Sequence, residues 1–334
     1  MSLPHHIQQL FEAHAAQNPK RLTEIADYLL VTTDDHGGRT PAGWDGPAWV
    51  ATDVRIERLE PDFATRLLRA TELRGENWDP APGPHVVHAF VRDAWAEGDG
   101  AEVENIFHWD PSGRLFECLA LSRLARDHAT SCEHAVRRLV HADGSDRLVP
   151  FSAFDSHVAY RLHPELPGWL DVNEATQLRS LVDAYDSGGF PSRVRSGLRR
   201  TEAVVRERFL EDALPLCVGG IEAMLKVGRD FARAQFVQRA SAAAAELGVT
   251  LSLTQCETLY DDRSALVHGG TVDLSVAGDL SDFARDFVAL QTTLRALIRR
   301  AIEDVDFGAV FADDAAIAAQ WPVTVEKRGK PLVL

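Results

Sequence analysis

Helical spacing of apolar residues dominates the chain beyond residue 190 and restricts what it can fold into. The longest stripe proceeds in steps of three and four residues: Phe283, Phe287, Leu290, Leu294, Leu297 and Ala301. Shorter stripes of the same kind start at Val194, Leu214 and Phe236. Side chains at these steps share one face of an α-helix, and such helices bury that face by packing against one another. The sequence therefore predicts an all-α helical bundle over residues 190–305, followed by a C-terminal tail over 306–334.

Before residue 165 the apolar runs are short, alternate with polar residues and are separated by turns. Five of these runs are predicted as strands: 86–95, 103–109, 114–121, 136–141 and 147–151. Two other segments are predicted as helices: 7–17 and 62–73. The mixture indicates an α+β N-terminal domain with antiparallel strands over residues 1–165. A linker over 166–189 is predicted to carry a short helix that Asn173 caps.

Composition excludes several classes of protein. No apolar run reaches the roughly 20 residues that a membrane-spanning helix needs, and the N-terminal segment lacks the pattern of a secretory signal. The four cysteines are scattered and form no C-x-x-C pair, which is typical of a reducing cytoplasm. The chain has no Walker A motif, no glycine-rich dinucleotide loop and no G-x-S-x-G. We therefore expect a cytoplasmic protein with no membrane contact, no cofactor and no metal.

The charge of the chain is unevenly distributed. The net charge of −15 argues against non-specific coating of nucleic acid. Residues 190–240, however, contain ten Arg and Lys against six Asp and Glu, a local sum of +4. A polyanion such as RNA should therefore prefer this segment, although a solvated helix face explains the same charges equally well.

One further helix, predicted over 252–268, carries a charge on its apolar face. Its stripe consists of four residues: Cys256, Leu259, Arg263 and Leu266. Burying an unpaired guanidinium costs several kcal/mol, so Arg263 must meet a carboxylate, a polar cavity or the surface of a partner. The chain offers three candidate carboxylates: Asp261, Asp262 and Glu222. The glycine pair at 269–270 is predicted to end this helix with a left-handed cap directly after His268.

The segment Y-D-D-R-S-A-L-V-H-G-G at 260–270 resembles the Apea-like branch of the HEPN superfamily, whose signature has Tyr, Arg, Ser, His and Gly at this spacing. The run G-I-E-A-M-L-K-V at 220–227 is similar to the second helix of that family. The resemblance covers roughly residues 190–305. It implies a bundle of four or five helices that dimerises, with the Arg and His of both copies lining one cleft. It also implies RNA cleavage without a metal, often by stress, toxin or antiphage defence effectors.

The resemblance assigns the two catalytic roles to Arg263 and His268. A guanidinium binds two phosphate oxygens at once, and an imidazole accepts or donates a proton near neutral pH. These groups would let the ribose 2′-OH attack the adjacent phosphorus, so that an RNA endonuclease leaves a 2′,3′-cyclic phosphate. Residues five apart on a helix lie ~140° apart around its axis and ~7.5 Å along it. Unless the helix unwinds before His268, two copies of the chain must complete one site, which predicts a homodimer.

Four further residues are assigned supporting or substrate-positioning roles: Tyr260, Asp262, Ser264 and Glu222. Tyr260 is interpreted as a bundle-interface residue rather than a platform for base stacking. His268 taken alone would be interpreted as a helix-end histidine that bonds a carbonyl group.

The residue after the arginine leaves a second function open. Active HEPN nucleases frequently have Asn, Asp or His at this position, whereas this chain has Ser264. The alternative is a non-catalytic HEPN dimerisation protein that senses RNA or a ligand. Under either function, the N-terminal domain is interpreted as a regulatory region for a partner or ligand.

Two other histidine patterns are interpreted as unrelated to catalysis. His85 and His88 lack carboxylates at the spacing of a metal site. Arg123 and His128 repeat the spacing of Arg263 and His268, but a chain this rich in arginine produces such pairs by chance.

Overall fold

The structure is a computed structural model that describes the following residues: 22–32, 47–71, 87–96, 111–126, 128, 131–153, 170–207, 209–270, 279–327 and 330–333. The chain forms two compact units. Of the described residues, the first unit holds those up to 153 together with 170–182, and the second holds those from 183 onward. The boundary therefore lies inside the region that the sequence predicts as a linker.

A six-stranded antiparallel sheet forms the core of the first unit. Its strands are β1 (Leu22–Thr32), β2 (Ala48–Trp49), β3 (Val54–Arg58), β4 (Val87–Ala96), β5 (Ser131–His141) and β6 (Asp146–Ala153). They lie in the order β2-β3-β4-β1-β5-β6. Helix α1 (Pro61–Thr71) packs on β5 and β6, where its Ala64 and Leu67 join Tyr28 of β1 in one apolar cluster. Helix α2 (Pro111–Ala125) packs against β1 and β4.

The sheet also buries an ion pair. Asp27 on β1 lies directly opposite Arg137 on β5, and both side chains are fully buried. Arg137 Nε donates to Asp27 Oδ1 at 2.6 Å, and Nη2 donates to Oδ2 at 2.7 Å. Such a pair adds little net stability, because desolvating two charges offsets their attraction, but removing one partner alone leaves a buried charge.

Most predicted elements of this unit are confirmed. The helix predicted over 62–73 is α1, and the strand predicted over 86–95 is β4. The predicted hairpin corresponds to β5 and β6, and its turn contains Gly144 in the left-handed region at φ +80°. The helix predicted over 7–17 and the strand predicted over 103–109 lie outside the described residues.

The strand predicted over 114–121 is wrong, because these residues belong to helix α2. Leu115, Leu119 and Leu121 occupy alternate positions, as they would on one face of a strand. All residues from 118 to 124 are buried, so α2 has no polar stripe that would reveal a helical period.

The second unit is mostly helical. Helix α3 (Val172–Asp186) contains the boundary between the units, and the five helices of the bundle follow: α4 (Ser192–Arg206), α5 (Leu210–Met224), α6 (Ala232–Glu246), α7 (Leu253–Val267) and α8 (Asp279–Glu303). Helix α8 packs against each of α4, α5, α6 and α7. Its predicted stripe is confirmed as a core, since Leu290, Leu294 and Leu297 are completely buried.

The predicted capping of α3 by Asn173 is wrong. Asp171 takes this position, because its Oδ1 accepts from the Glu174 amide at 2.8 Å and its own amide donates to Glu174 Oε2 at 2.7 Å. This reciprocal capping box satisfies two amides of the first turn, and it places Asn173 inside the helix.

The predicted C-terminal tail is folded and is not entirely helical. It contains α9 (Val305–Val310), α10 (Asp314–Gln320) and the hairpin of β7 (Thr324–Lys327) with β8 (Lys330–Val333). The ring of Trp321 packs on Phe307 and Phe311, with centroids 6.1 and 5.8 Å away. The bundle predicted over 190–305 is confirmed as mostly helical in its described residues, and the tail, for which no elements are predicted, adds these two helices and the hairpin.

A buried arginine fixes the end of α5. Arg239 of α6 donates from Nη1 to the carbonyl oxygens of Leu225 and Lys226, at 3.1 and 2.6 Å. Its Nε donates to the carbonyl of Trp321 at 3.2 Å. These bonds satisfy carbonyl groups that the helix end leaves without an internal partner, and burial lowers the pKa of Arg239.

Candidate functional site

Helix α7 has defined signals at both ends. At its start, Ser252 and Gln255 form a capping box in which each residue's amide donates to the other's side chain. At its end, His268 is the capping residue and Gly269 adopts the left-handed φ of +79°. The Gly270 amide donates to the Ala265 carbonyl at 2.8 Å, which completes a Schellman motif. The predicted left-handed cap is therefore present, and α7 remains helical up to the residue before His268.

Both glycines of this cap are required by geometry. A side chain at Gly269 would be strained by its positive φ. A Cβ at Gly270 would lie 2.9 Å from the Ala265 carbonyl oxygen, which is closer than such atoms approach. The sequence Gly269-Gly270 therefore fixes how the chain leaves the helix immediately after His268.

Arg263 faces α5 rather than solvent. Its side chain is 26% exposed, and its Nη2 donates to Oε2 of Glu222 at 3.4 Å. The guanidinium carbon also lies 5.9 Å from the centre of the Tyr260 ring. Within the described part of the chain, its buried Nε forms no hydrogen bond. Of the three carboxylates left open by the sequence, Glu222 is thus the one that meets Arg263, through a single long bond.

Glu222 lies in a partly buried and strongly charged environment. Its side chain is 20% exposed. Burial raises the pKa of its carboxyl, while the positive charges of Arg263 and Arg200 oppose that rise. The net direction is upward, so Glu222 takes up a proton more readily than an exposed glutamate does.

Arg200 is a residue of this site that the sequence patterns do not reveal. It belongs to α4, and its guanidinium lies over Gly219 of α5, where an added Cβ would come within 3.0 Å of Nη1. Gly219 is three residues before Glu222 and therefore on the same side of α5. The only sequence signal is the pair Gly219-Gly220, which is equally typical of two closely packed helices.

Tyr260 lies inside the bundle interface. Its ring packs on Phe236 of α6, with centroids 5.2 Å apart. Burial, followed by the charge of Glu222, raises the pKa of its hydroxyl. This placement favours the interpretation of Tyr260 as a packing residue that also borders Arg263.

The two polar neighbours of Arg263 on α7 do not pair with it. Asp262 is partly buried, and burial raises its pKa. The side chain of Ser264 is also partly buried and makes no hydrogen bond within the described residues. Asp261 instead forms a two-pronged pair with Arg233 of α6, at 2.8 and 2.9 Å.

His268 is exposed at the end of α7. Its amide is held by the carbonyls of Ser264 and Ala265, each at 3.2 Å. No hydrogen bond or ion pair among the described residues links its imidazole to Arg263 or Glu222. The residue before it, Val267, has 53% of its surface exposed although it is apolar. One chain therefore presents Arg263 within the bundle and His268 on an open surface.

The histidine patterns of the first unit lie in its interior. His88 is buried, and burial lowers its pKa to about 4. His128 is also buried, with Nε2 2.8 Å from Ser122 Oγ, and Arg123 is buried on α2. His85 lies outside the described residues.

None of the helices in the described ranges is both long enough and apolar enough to cross a bilayer. The same ranges contain no group of three or more His, Cys, Asp or Glu arranged to hold a metal ion. Comparisons of the chain with protein-family models, with curated proteins and with solved structures gave no match.

Proposed function

We propose that this chain is a metal-independent RNA endonuclease of the HEPN type, in which Arg263 binds the phosphate and His268 transfers the proton. The observation that carries the proposal is the setting of Arg263. It is a charged residue on the buried side of α7, and its carboxylate partner Glu222 holds it through one bond of 3.4 Å. An arginine held this loosely keeps donors for an incoming phosphate, and it lies five residues before an exposed histidine on the same chain.

The reaction needs only these two types of side chain. The imidazole of His268 takes the proton from a ribose 2′-OH, and the 2′ oxygen forms a bond to the adjacent phosphorus. The bond from phosphorus to the 5′ oxygen breaks, and that oxygen takes a proton from the imidazolium of His268 or from water, which restores the neutral imidazole. The products are a 2′,3′-cyclic phosphate and a 5′-hydroxyl end. Arg263 stabilises the negative charge that builds up on the phosphate oxygens during the attack.

The site is completed by a second copy of the chain. Helix α7 stays regular up to Val267, so unwinding does not bring His268 back towards Arg263. A second copy placed around a twofold axis at the end of α7 would bring its own His268 to this Arg263. The exposed Val267 gives this contact an apolar centre.

A non-catalytic role in sensing RNA or a ligand is the second candidate. Glu222 occupies part of the donor set of Arg263, and Ser264 stands where active HEPN nucleases frequently have Asn, Asp or His. Both features favour an arginine that binds an anion without turnover. In this case RNA binding depends on Arg263, and no RNA is cut.

The decisive experiment is cleavage of total RNA by the wild-type chain in the presence of EDTA. We expect cut RNA that ends in a 2′,3′-cyclic phosphate, and no cutting by Arg263→Ala or His268→Ala. Arg199→Ala is the matched control, because it removes an exposed arginine and leaves Arg263 untouched. Wild-type protein that cuts nothing, or variants that cut equally well, would refute the nuclease.

Mixed dimers test the composite site. Chains with Arg263→Ala are co-purified with chains carrying His268→Ala, so that one of the two sites in each mixed dimer has both residues. We expect activity to return in the mixture, although each variant alone is inactive. The wild type should elute at twice its chain mass of 36.8 kDa. A monomer at micromolar concentration would remove the composite site.

A further inference from the structure

Two arginines from different helices act on the carboxylate of Glu222. Arg263 on α7 donates to it directly at 3.4 Å. Arg200 on α4 lies over Gly219, three residues earlier on the same side of α5. Its charge acts on Glu222, and α4 packs closely along α5. One partly buried carboxylate therefore bonds to one guanidinium group and lies within the electrostatic influence of a second.

The other arginines of α4 have different surroundings. Arg193 pairs with Asp314 at 2.6 Å, and Arg206 lies 3.8 Å from Glu202 on its own helix. Arg195 packs over the rings of Tyr185 and Phe190. Arg199 is exposed. Among these arginines, Arg200 is the one whose positive charge acts on Glu222, and within the described residues it forms no ion pair or hydrogen bond of its own.

We propose that Arg200 and Arg263 form a clamp for one RNA phosphate, and that the carboxylate of Glu222 fills this clamp until the phosphate displaces it. The inference rests on the proposed function and adds a second phosphate-binding residue to it. Glu222 then acts as an internal stand-in for the substrate anion, which keeps both guanidinium groups oriented in the absence of RNA.

The charge of the reacting group explains why two cations are needed. A phosphodiester carries one negative charge, and the five-coordinate species formed by 2′-OH attack carries two. One arginine matches the substrate, whereas a second matches the charge that develops only during the reaction. Arg200 should therefore affect the cleavage rate more strongly than it affects binding.

The site also explains why residue 219 has no side chain. Nη1 of Arg200 is the nearest atom to a Cβ built on Gly219, at 3.0 Å, and apart from the backbone of α5 itself no other atom of the described residues lies within 4 Å. Among these residues, an alanine there would meet the flexible end of the Arg200 side chain. Gly219→Ala should therefore displace the guanidinium without changing the charge of the protein or disturbing the helix packing.

The test compares Arg200→Ala, Arg200→Lys and Gly219→Ala with the control Arg199→Ala. Arg199 is the adjacent residue, is exposed, and loses the same charge. Binding is measured with a 2′-O-methyl oligonucleotide, which cannot be cut, and the rate is measured with RNA in single turnover. We expect Arg200→Ala to weaken binding about tenfold and to reduce the slope of log affinity against log salt by about 0.7. Its cleavage rate should fall about 10²–10³-fold.

Arg200→Lys and Gly219→Ala, which keep the net charge, should give intermediate losses of affinity and rate. Arg199→Ala should behave as wild type. Thermal melting of each variant establishes that it is folded. Equal binding and equal rates for Arg200→Ala and Arg199→Ala would overturn the clamp, even if Arg263→Ala remains inactive and the nuclease stands. If wild type binds the oligonucleotide but never cuts RNA, the nuclease fails, and the clamp is still decided by the binding data. Wild type that binds no oligonucleotide would overturn both.

Discussion

Glu222→Gln tests whether the carboxylate of Glu222 competes with RNA for the two arginines or only stabilises the fold. Glutamine keeps the size of the side chain and one acceptor oxygen but carries no charge. Arg263 and Arg200 would then lose the negative group that they share in the absence of RNA. We expect RNA to bind more tightly to this variant than to wild type, because no internal anion has to be displaced.

The size of the effect follows from the distance between the charges. At the 3.4 Å that separates Arg263 Nη2 from Glu222 Oε2, the attraction is about 1 kcal/mol in bulk water and about 5 kcal/mol at an effective dielectric constant of ~20. The two side chains are 26% and 20% exposed, so solvent screens the pair substantially. We take about 2 kcal/mol, which corresponds to a roughly 30-fold lower dissociation constant for RNA.

The pH at which the two proteins should differ follows from the pKa of Glu222. Burial raises the pKa of Glu222 in the folded protein, so folding favours the protonated form. The stabilising effect of this proton is therefore present in acid and is lost as the pH rises through the raised pKa. Glutamine mimics the protonated form at every pH. The variant should thus be more stable than wild type at pH 8, and both the stability difference and the affinity difference should disappear in acid.

The assay is fluorescence anisotropy of a labelled 2′-O-methyl oligonucleotide between pH 4.5 and pH 8, with melting curves at each pH. Asp261→Asn is the matched control, because it neutralises an exposed carboxylate of α7 that pairs with Arg233 instead. Equal affinities of Glu222→Gln and wild type at pH 8 would refute the competition. Weaker binding by the variant would mean that Glu222 orients Arg263 for RNA rather than excluding RNA from it.

Three further substitutions test the fold around the site and in the first unit. Arg137→Met should lower the free energy of unfolding by about 3–5 kcal/mol, because Asp27 stays buried without its partner; chemical denaturation measures this, and a loss below about 1 kcal/mol would contradict the buried pair. Arg239→Met should cost about 2–4 kcal/mol in the same assay, since carbonyl groups at the end of α5 lose a buried donor; an unchanged midpoint would show that water replaces it. Gly269→Ala should cost about 1–2 kcal/mol through its positive φ, and it should reduce cleavage by shifting His268; full stability together with full activity would exclude a role for the cap.

The success of the fold predictions depended on how each element is buried. The helices of the second unit each have one buried and one polar face, so their period was visible in the sequence. Strand β1 and helix α2 are buried on nearly all sides. Apolar residues therefore occur at almost every position, and their spacing does not distinguish a strand from a helix. For this reason β1 was not predicted and α2 was assigned to a strand. The capping residue of α3 was misplaced by two positions, because both Asp171 and Asn173 are good helix caps.

Only the part of the candidate site that lies on α7 could be predicted from the sequence. The apolar stripe of α7 identified Arg263 as a residue that needs a partner, and the glycine pair identified the end of the helix. The sequence does not decide which of the three carboxylates meets Arg263. Glu222 is identified only by the packing of α7 against α5, because it lies on another helix. The sequence does not identify Arg200 as a site residue, because nothing in the sequence of α4 distinguishes it from its neighbour Arg199.

The proposed mechanism divides its two chemical roles between the interior and the surface of the bundle. A phosphate-binding arginine gains orientation from burial, because packing and Glu222 restrict a side chain that otherwise has many rotamers. A proton-transferring histidine must instead reach a substrate that arrives from solvent, and His268 is exposed at a helix end whose exit path two glycines fix. Since the two residues face different ways on one regular helix, the proposed cleavage would need a second chain to supply the missing group. Activity should therefore rise and fall with dimer formation, and a charge placed at Val267 should abolish both together.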